Sequence, residues 1–100
     1  MTNHLRLSEH VGNPSIQSAL AILRRRQVQT ETGYSRSTIY LRISQGLWPK
    51  PVRLGARAVG WPAGEVSALN AARIAGRSDA DIRALVASLE LARLAADGDR

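Results

Sequence analysis

The chain has 100 residues and a mass of 10.8 kDa. That is one small domain with room for tails, and too little for a two-domain enzyme with a large cleft. There is no cysteine, so disulfides and thiolate metal sites are excluded. Aromatics make up only 4% of the chain and none is Phe, so any core must be small and mostly aliphatic. The net charge of +6 is unevenly placed. Residues 1–23 are neutral and residues 61–100 carry −1, while residues 24–60 carry +7. A local basic block asks for a polyanionic partner, either nucleic acid or an anionic membrane surface. The four aromatics, Tyr34, Tyr40, Trp48 and Trp61, fall in or beside this block. A folded basic module favours nucleic acid over a solubilising face.

In chain order, residues 1–14 read as a flexible arm closed by the breaker Gly12-Asn13-Pro14. The arm lacks a basic segment followed by an apolar run, so no signal peptide is expected. No stretch approaches the roughly 18 apolar residues of a membrane span. The expected location is therefore the cytoplasm, with the nucleoid. Ile16, Ala19, Leu20 and Leu23 have helical spacing, and Ser15 suits an N-cap, which predicts a helix from Ser15 to about Arg26. A short helix over Gln27–Thr32 follows, buried through Val28 and stopped by Gly33. Ser35 caps a second helix, roughly Arg36–Gln45, with Ile39, Tyr40 and Ile43 on its inner stripe and Gly46 at its end.

The two prolines of Leu47-Trp48-Pro49-Lys50-Pro51 exclude helix there. Val52 to Leu54 and Ala58 to Trp61 read as the arms of a small hairpin turning at Gly55-Ala56-Arg57. Pro62 and Glu65 suit the first turn of a further helix, with Val66, Leu69 and Ile74 inward and Gly76 at its end. Ser78-Asp79-Ala80-Asp81 resembles a capping box. It opens a last helix with Ile82, Leu85, Val86, Leu89 and Ala92 on one face. That stripe is too short for a coiled coil, so it serves either its own domain or a second subunit. The organisation is an arm over 1–14, a domain over 15–76, and a C-terminal helix and tail over 77–100.

Helix, glycine turn, helix, hairpin, helix is the order of a winged helix-turn-helix. The fold class expected is thus mainly α with a small β-hairpin, plus an extra C-terminal helix. The major groove of duplex DNA accepts one helix, and a bracing helix presents it. On the second helix, Ser35, Arg36 and Ser37 stand at the tip, with Thr38, Tyr40 and Arg42 behind them. Arg36 has the donors for guanine O6 and N7. Tyr40 suits equally a phosphate contact or a core ring with a wet hydroxyl. Arg53 and Arg57 flank the hairpin tip, where a wing grips DNA backbone or the minor groove. Lys50 adds charge beside the wing, and of Arg24, Arg25 and Arg26 one is expected at a phosphate, taken as Arg26.

The segments Arg25-Arg26-Gln27-Val28, Thr32-Gly33-Tyr34-Ser35-Arg36-Ser37-Thr38-Ile39-Tyr40, Gly46-Leu47-Trp48-Pro49-Lys50-Pro51-Val52-Arg53-Leu54-Gly55, Val59-Gly60-Trp61 and Glu65-Val66 resemble the AlpA family. These are small phage-type DNA-binding regulators related to excisionases and MerR-like winged helices. The resemblance covers about residues 22–75. It implies recognition-helix contacts from Ser35, Arg36, Ser37 and Tyr40, and wing contacts from Arg53 and Arg57. Two positions depart from the family pattern. A basic residue followed by an aliphatic one usually comes after the Tyr, where this chain has Leu41-Arg42, and Trp often stands at the position of Leu69.

Catalysis finds little support. His4 and His10 have no helical pairing and no partner acids, and no nucleophile constellation or phosphate loop is present. The reading is a non-enzyme without cofactor or metal. It binds double-stranded DNA of a mobile element, as an excisionase (recombination directionality factor) or a transcription regulator, by occupying and bending its site. Self-association on DNA and an integrase are the further partners expected, with no membrane. The alternative is a protein-interaction adaptor working through the C-terminal helix.

Overall fold

The computed structural model describes residues 19–96. The arm, its two histidines and residues 97–100 lie outside the described residues. The elements run β1 (Ile22–Arg24), α1 (Arg25–Thr32), α2 (Arg36–Ser44), β2 (Val52–Arg53), β3 (Val59–Pro62), α3 (Ala63–Ile74) and α4 (Asp79–Ala95). The fold is a winged helix-turn-helix, mostly helical with one small sheet.

The first departure from expectation comes at the start. Where the spacing of Ile16 to Leu23 predicts a helix reaching Arg26, residues 22–24 form a strand. The sheet therefore has three antiparallel strands in the order β1-β3-β2, not a lone hairpin. Leu23 pairs with Trp61 and Arg24 with Gly60, while Val52 and Arg53 pair with Gly60 and Val59 on the other edge. Ala63 and Gly64 extend the link to the chain before β1, donating to the carbonyls of Ala21 at 2.8 Å and Ala19 at 2.9 Å. A two-stranded hairpin is marginal in water, and the third strand supplies the missing partner. Leu20, which a helix would have turned inward, is 77% exposed.

α1 then starts two residues earlier than expected, its entry fixed by the Arg24 N–H donating to Gln27 Oε1 at 2.8 Å. Gly33 has φ 76° and closes the helix, with its N–H on the Gln29 carbonyl at 2.8 Å. That left-handed residue makes the turn between α1 and α2, and a side chain there would be strained. Gly46, also at φ 76°, ends α2 in the same way.

The core is a single cluster of Val28, Ile39, Leu47, Trp48, Trp61, Val66, Leu69, Ile82 and Val86. Every helix contributes to it, so α4 folds back onto the domain through Ile82 and Val86. Leu69 is buried, although a larger ring often fills that place in the family. Three further positions expected to face inward fall outside: Tyr40 is 39% exposed, Ile74 is 86% exposed, and Ala92 is exposed too. Ile74 is the last residue of α3, and Tyr40 follows the buried Ile39 and so turns to the outer side of α2.

Gly60 sits at the centre of the sheet, between both edge strands. A Cβ there would run into Ile22 Cγ2 and lie 2.8 Å from the Leu23 carbonyl oxygen. The Gly60→Ala chain should lose about 1–3 kcal/mol of stability, as overpacking costs elsewhere. Gly55→Ala, facing open space at the hairpin tip, should change the urea midpoint little. Equal midpoints for the two variants would show that β1 does not press on β3.

Candidate nucleic-acid interface

The recognition helix has two faces. Ile39 is fully buried and Ile43 packs partly against the core. Arg36, Ser37, Tyr40, Leu41 and Ser44 are all exposed. Their spacing of four and one residues draws one stripe along the outside of α2. Tyr40 thus stands on the outer face, 39% exposed, with the Arg36 guanidinium 5.9 Å from its ring centroid. That distance is at the outer limit of a cation–π contact, and it keeps the arginine laid along the stripe.

Ser35 is occupied by the helix itself. Its hydroxyl oxygen accepts from the Thr38 N–H at 3.1 Å and lies 2.9 Å from the Thr38 hydroxyl. Ser37 Oγ is 3.3 Å away, so the three hydroxyls form one cluster at the helix start. Arg42 is turned aside, half-buried, with its guanidinium 5.1 Å from the Tyr34 ring centroid. Tyr34 in turn meets Trp48 edge to face at 5.8 Å. The inverted order Leu41-Arg42 now has a structural meaning. Leu41 is on the outer stripe, 56% exposed, and the arginine packs beside the turn. Sequence reasoning missed Leu41, although its spacing from Arg36 and Ser37 was the available signal.

Arg53 and Arg57 are both exposed on the hairpin. Arg57 lines a groove of about 370 Å³ together with Arg24, Arg25, Arg26 and Val59. A second depression continues from Arg25 and Arg26 past Gln29 and Thr30 to Tyr34. Arg25 and Arg26 line both depressions, so a basic channel of adjoining depressions is marked out from the wing residue Arg57, past the N-terminus of α1, to Tyr34 just before the α2 cap. Arg24 is held in it by donating from Nε to the Val59 carbonyl at 3.1 Å, and Arg25 by donating to Gln29 Oε1 at 2.8 Å. The sequence singled out Arg26 alone from this trio. The added members come from the β1–β3 pairing, which brings Arg24 opposite Gly60 on the wing strand.

Lys50 keeps its side chain in solvent, but its backbone is anchored elsewhere, to α4. The outer stripe, the basic channel and the wing assemble Arg36, Ser37, Tyr40, Arg53, Arg57 and Arg26 on helix-turn-helix and wing elements. Ser35, Thr38 and Arg42 serve local structure at the same place. Among the described residues no three His, Cys, Asp or Glu side chains come together as metal ligands, and no helix is long and apolar enough to cross a membrane.

A family model described as prophage CP4-57 regulatory protein (AlpA) matches residues 21–74. The chain belongs to the AlpA family. The match begins at β1 and ends with α3, so it takes in the whole sheet and the helix-turn-helix and leaves out α4. The family's description is that of a prophage regulatory protein. A relative from Enterobacteria phage P4, the uncharacterized protein ORF88, is 49% identical over 55 residues. The aligned region is 55% of this chain and 62% of that relative, so the chain spans less than two thirds of the relative's length. No solved structure matches the chain.

Ser35→Ala should cost about 1 kcal/mol of stability, as loss of an N-cap does, and Ser35→Asp should retain that stability. Thermal melts of the free protein decide it. An alanine variant as stable as the parent would free Ser35 from its capping role.

Proposed function

We propose that this AlpA-family chain is a sequence-specific double-stranded-DNA-binding protein of a mobile element, acting on its DNA as an excisionase or a transcription regulator. The observation that carries the reading is the outer stripe of α2, flanked by the arginine channel that leads to the wing. α2 fits the major groove, with Arg36 suited to guanine O6 and N7 and Ser37 to a base or phosphate. Leu41 offers an apolar contact of the kind a thymine methyl accepts. Tyr40 reaches a phosphate through its hydroxyl. Arg26, Arg53 and Arg57, joined by Arg24 and Arg25, follow the backbone and add affinity without sequence choice. Ser35, Thr38 and Arg42 shape the tip of the helix, and Lys50 adds charge beside the wing.

With groove and wing contacts on either side of one strand, the bound duplex bends around the domain. Several copies side by side on phased sites raise the affinity of so small a module. Such an array suits the architectural role of a recombination directionality factor working with an integrase. The protein then acts in the cytoplasm, on the element's own DNA, without catalysis. An adaptor role has less to stand on, since α4 spends Ile82, Val86, Arg83, Glu90 and Arg93 on its own domain.

Footprinting on the DNA flanking the gene tests the reading, with protection of defined sites expected. Arg36→Ala should weaken those sites by about 1–3 kcal/mol and relax choice at one base pair. Arg53→Ala should weaken all sequences alike and lower the salt slope by about one unit. Sequence preference untouched by Arg36→Ala would remove α2 from the groove.

Excision assays in the host decide between the two roles. Deleting the gene should abolish excision while integrase levels stay constant. Normal excision with altered promoter output would assign the protein to transcription instead.

A further inference from the structure

We infer that Arg93 and Glu90 of α4 are positioning residues for DNA binding, fixing the wing relative to the recognition helix. The inference rests on the DNA-binding reading above. The chain runs from α2 to the wing through residues 45–51, and the backbone of that run, together with the pairing of β1 with β3, sets the angle between the two DNA-facing elements. Pro49 and Pro51 have no N–H, which leaves Lys50 as the residue between them with a full pair of backbone groups. Both groups are taken by α4. The Lys50 N–H donates to Glu90 Oε2 at 2.8 Å, and the Lys50 carbonyl accepts from Arg93 Nη2 at 2.8 Å.

Arg93 is itself fixed. Its Nε and Nη2 donate to Glu65 Oε2 at 2.8 Å and Oε1 at 2.7 Å. Glu65 is only 6% exposed, and a buried carboxylate needs a bonded cation. The bonds that Arg93 donates to Glu65 raise its pKa above the ordinary value, so the guanidinium stays charged at every physiological pH. One turn of α4 therefore ties α3 to the linker. A second tie lies nearer the start of α4, where Arg83 Nε donates to the Gln45 carbonyl at 2.8 Å. That carbonyl is at the C-terminal end of α2, where helix carbonyls lack partners and favour a cation.

All of these donors and acceptors on α4 lie outside the matched region 21–74, while the groups they hold lie inside it. The helix thus completes a wing mount that the matched region does not complete alone.

The test uses the full chain, which has no cysteine to interfere with labelling. Spin labels at Ser44→Cys and Ala56→Cys report the distance from the end of α2 to the wing tip. Arg93→Met should broaden that distance distribution, and Arg93→Lys should restore part of its sharpness. In binding assays Arg53→Ala should cost about tenfold in the intact chain but under about twofold in Arg93→Met, because the displaced wing no longer reaches the backbone. The cost of Arg36→Ala should be the same in both backgrounds. If Arg93→Met does not fold, Glu90→Ala, which removes a single exposed hydrogen bond, carries the same measurements with a smaller effect. Unchanged label distances together with additive binding costs would overturn the inference. Arg36→Ala and Arg53→Ala that cost nothing in the intact chain would count against the DNA-binding reading itself, with the label distances still deciding the clasp.

Discussion

Trp61 holds the molecule together. It lies on the central strand, fully buried, and its indole N–H donates to the Pro49 carbonyl at 2.8 Å. One side chain thereby ties the sheet to the linker that leaves the recognition helix. A buried indole donor without a partner costs more than the bond contributes, so this bond favours the position of the Pro49 carbonyl. It shares its core cluster with Val28 and Ile39 from the two helices of the helix-turn-helix and with Val66 and Leu69 from α3. In a chain with four aromatics this is the largest fully buried side chain. The apolar side of α2 is thereby fixed, and its polar side is left for a partner.

The parts that were legible in the sequence are those written in local chemistry. Gly33, Ser35 and Gly46 mark the limits of the two helices because a left-handed turn and an N-cap each demand a particular residue type. Val52 and Trp61 mark the hairpin arms through alternation and flanking prolines. Ser78 and Asp81 mark the start of α4, with the Asp81 N–H donating to Ser78 Oγ at 3.1 Å. The fold class follows from the order of these elements.

What was not legible depends on contacts between distant residues. A three-residue strand has no period to read, and β1 exists because β3 offers an open edge 36 to 40 residues further on. The helical spacing of Ile16 to Leu23 arose without a helix at Leu23. Glu65 read as a carboxylate at a helix start, which it is. Its half-buried partner Arg93, 28 residues later, could not be inferred from spacing. The same holds for the basic channel. Arg24, Arg25 and Arg26 are consecutive in sequence and looked like one contact with two spares. Pairing of β1 with the wing strand places Arg24 and Arg57 along one groove.

The distribution of charge follows from this architecture. The +7 of residues 24–60 falls on the elements that carry the stripe, channel and wing, where Glu31 is the one acid, while α3 and α4 carry Glu65, Asp79, Asp81 and Glu90. Those acids are placed where they hold structure without weakening the basic face. Glu65 and Glu90 are committed to Arg93 and the Lys50 N–H. Asp79 pairs with Arg73 at 3.2 Å on the same two helices. Exposed pairs of that last kind contribute little stability. Their effect is to bring α3 and α4 close to neutrality, with Arg73, Arg83 and Arg93 set against their acids, so the excess positive charge stays with residues 24–60. On the proposed DNA-binding reading, an anionic duplex meets its attraction along α1, α2 and the wing, and that asymmetry orients its approach.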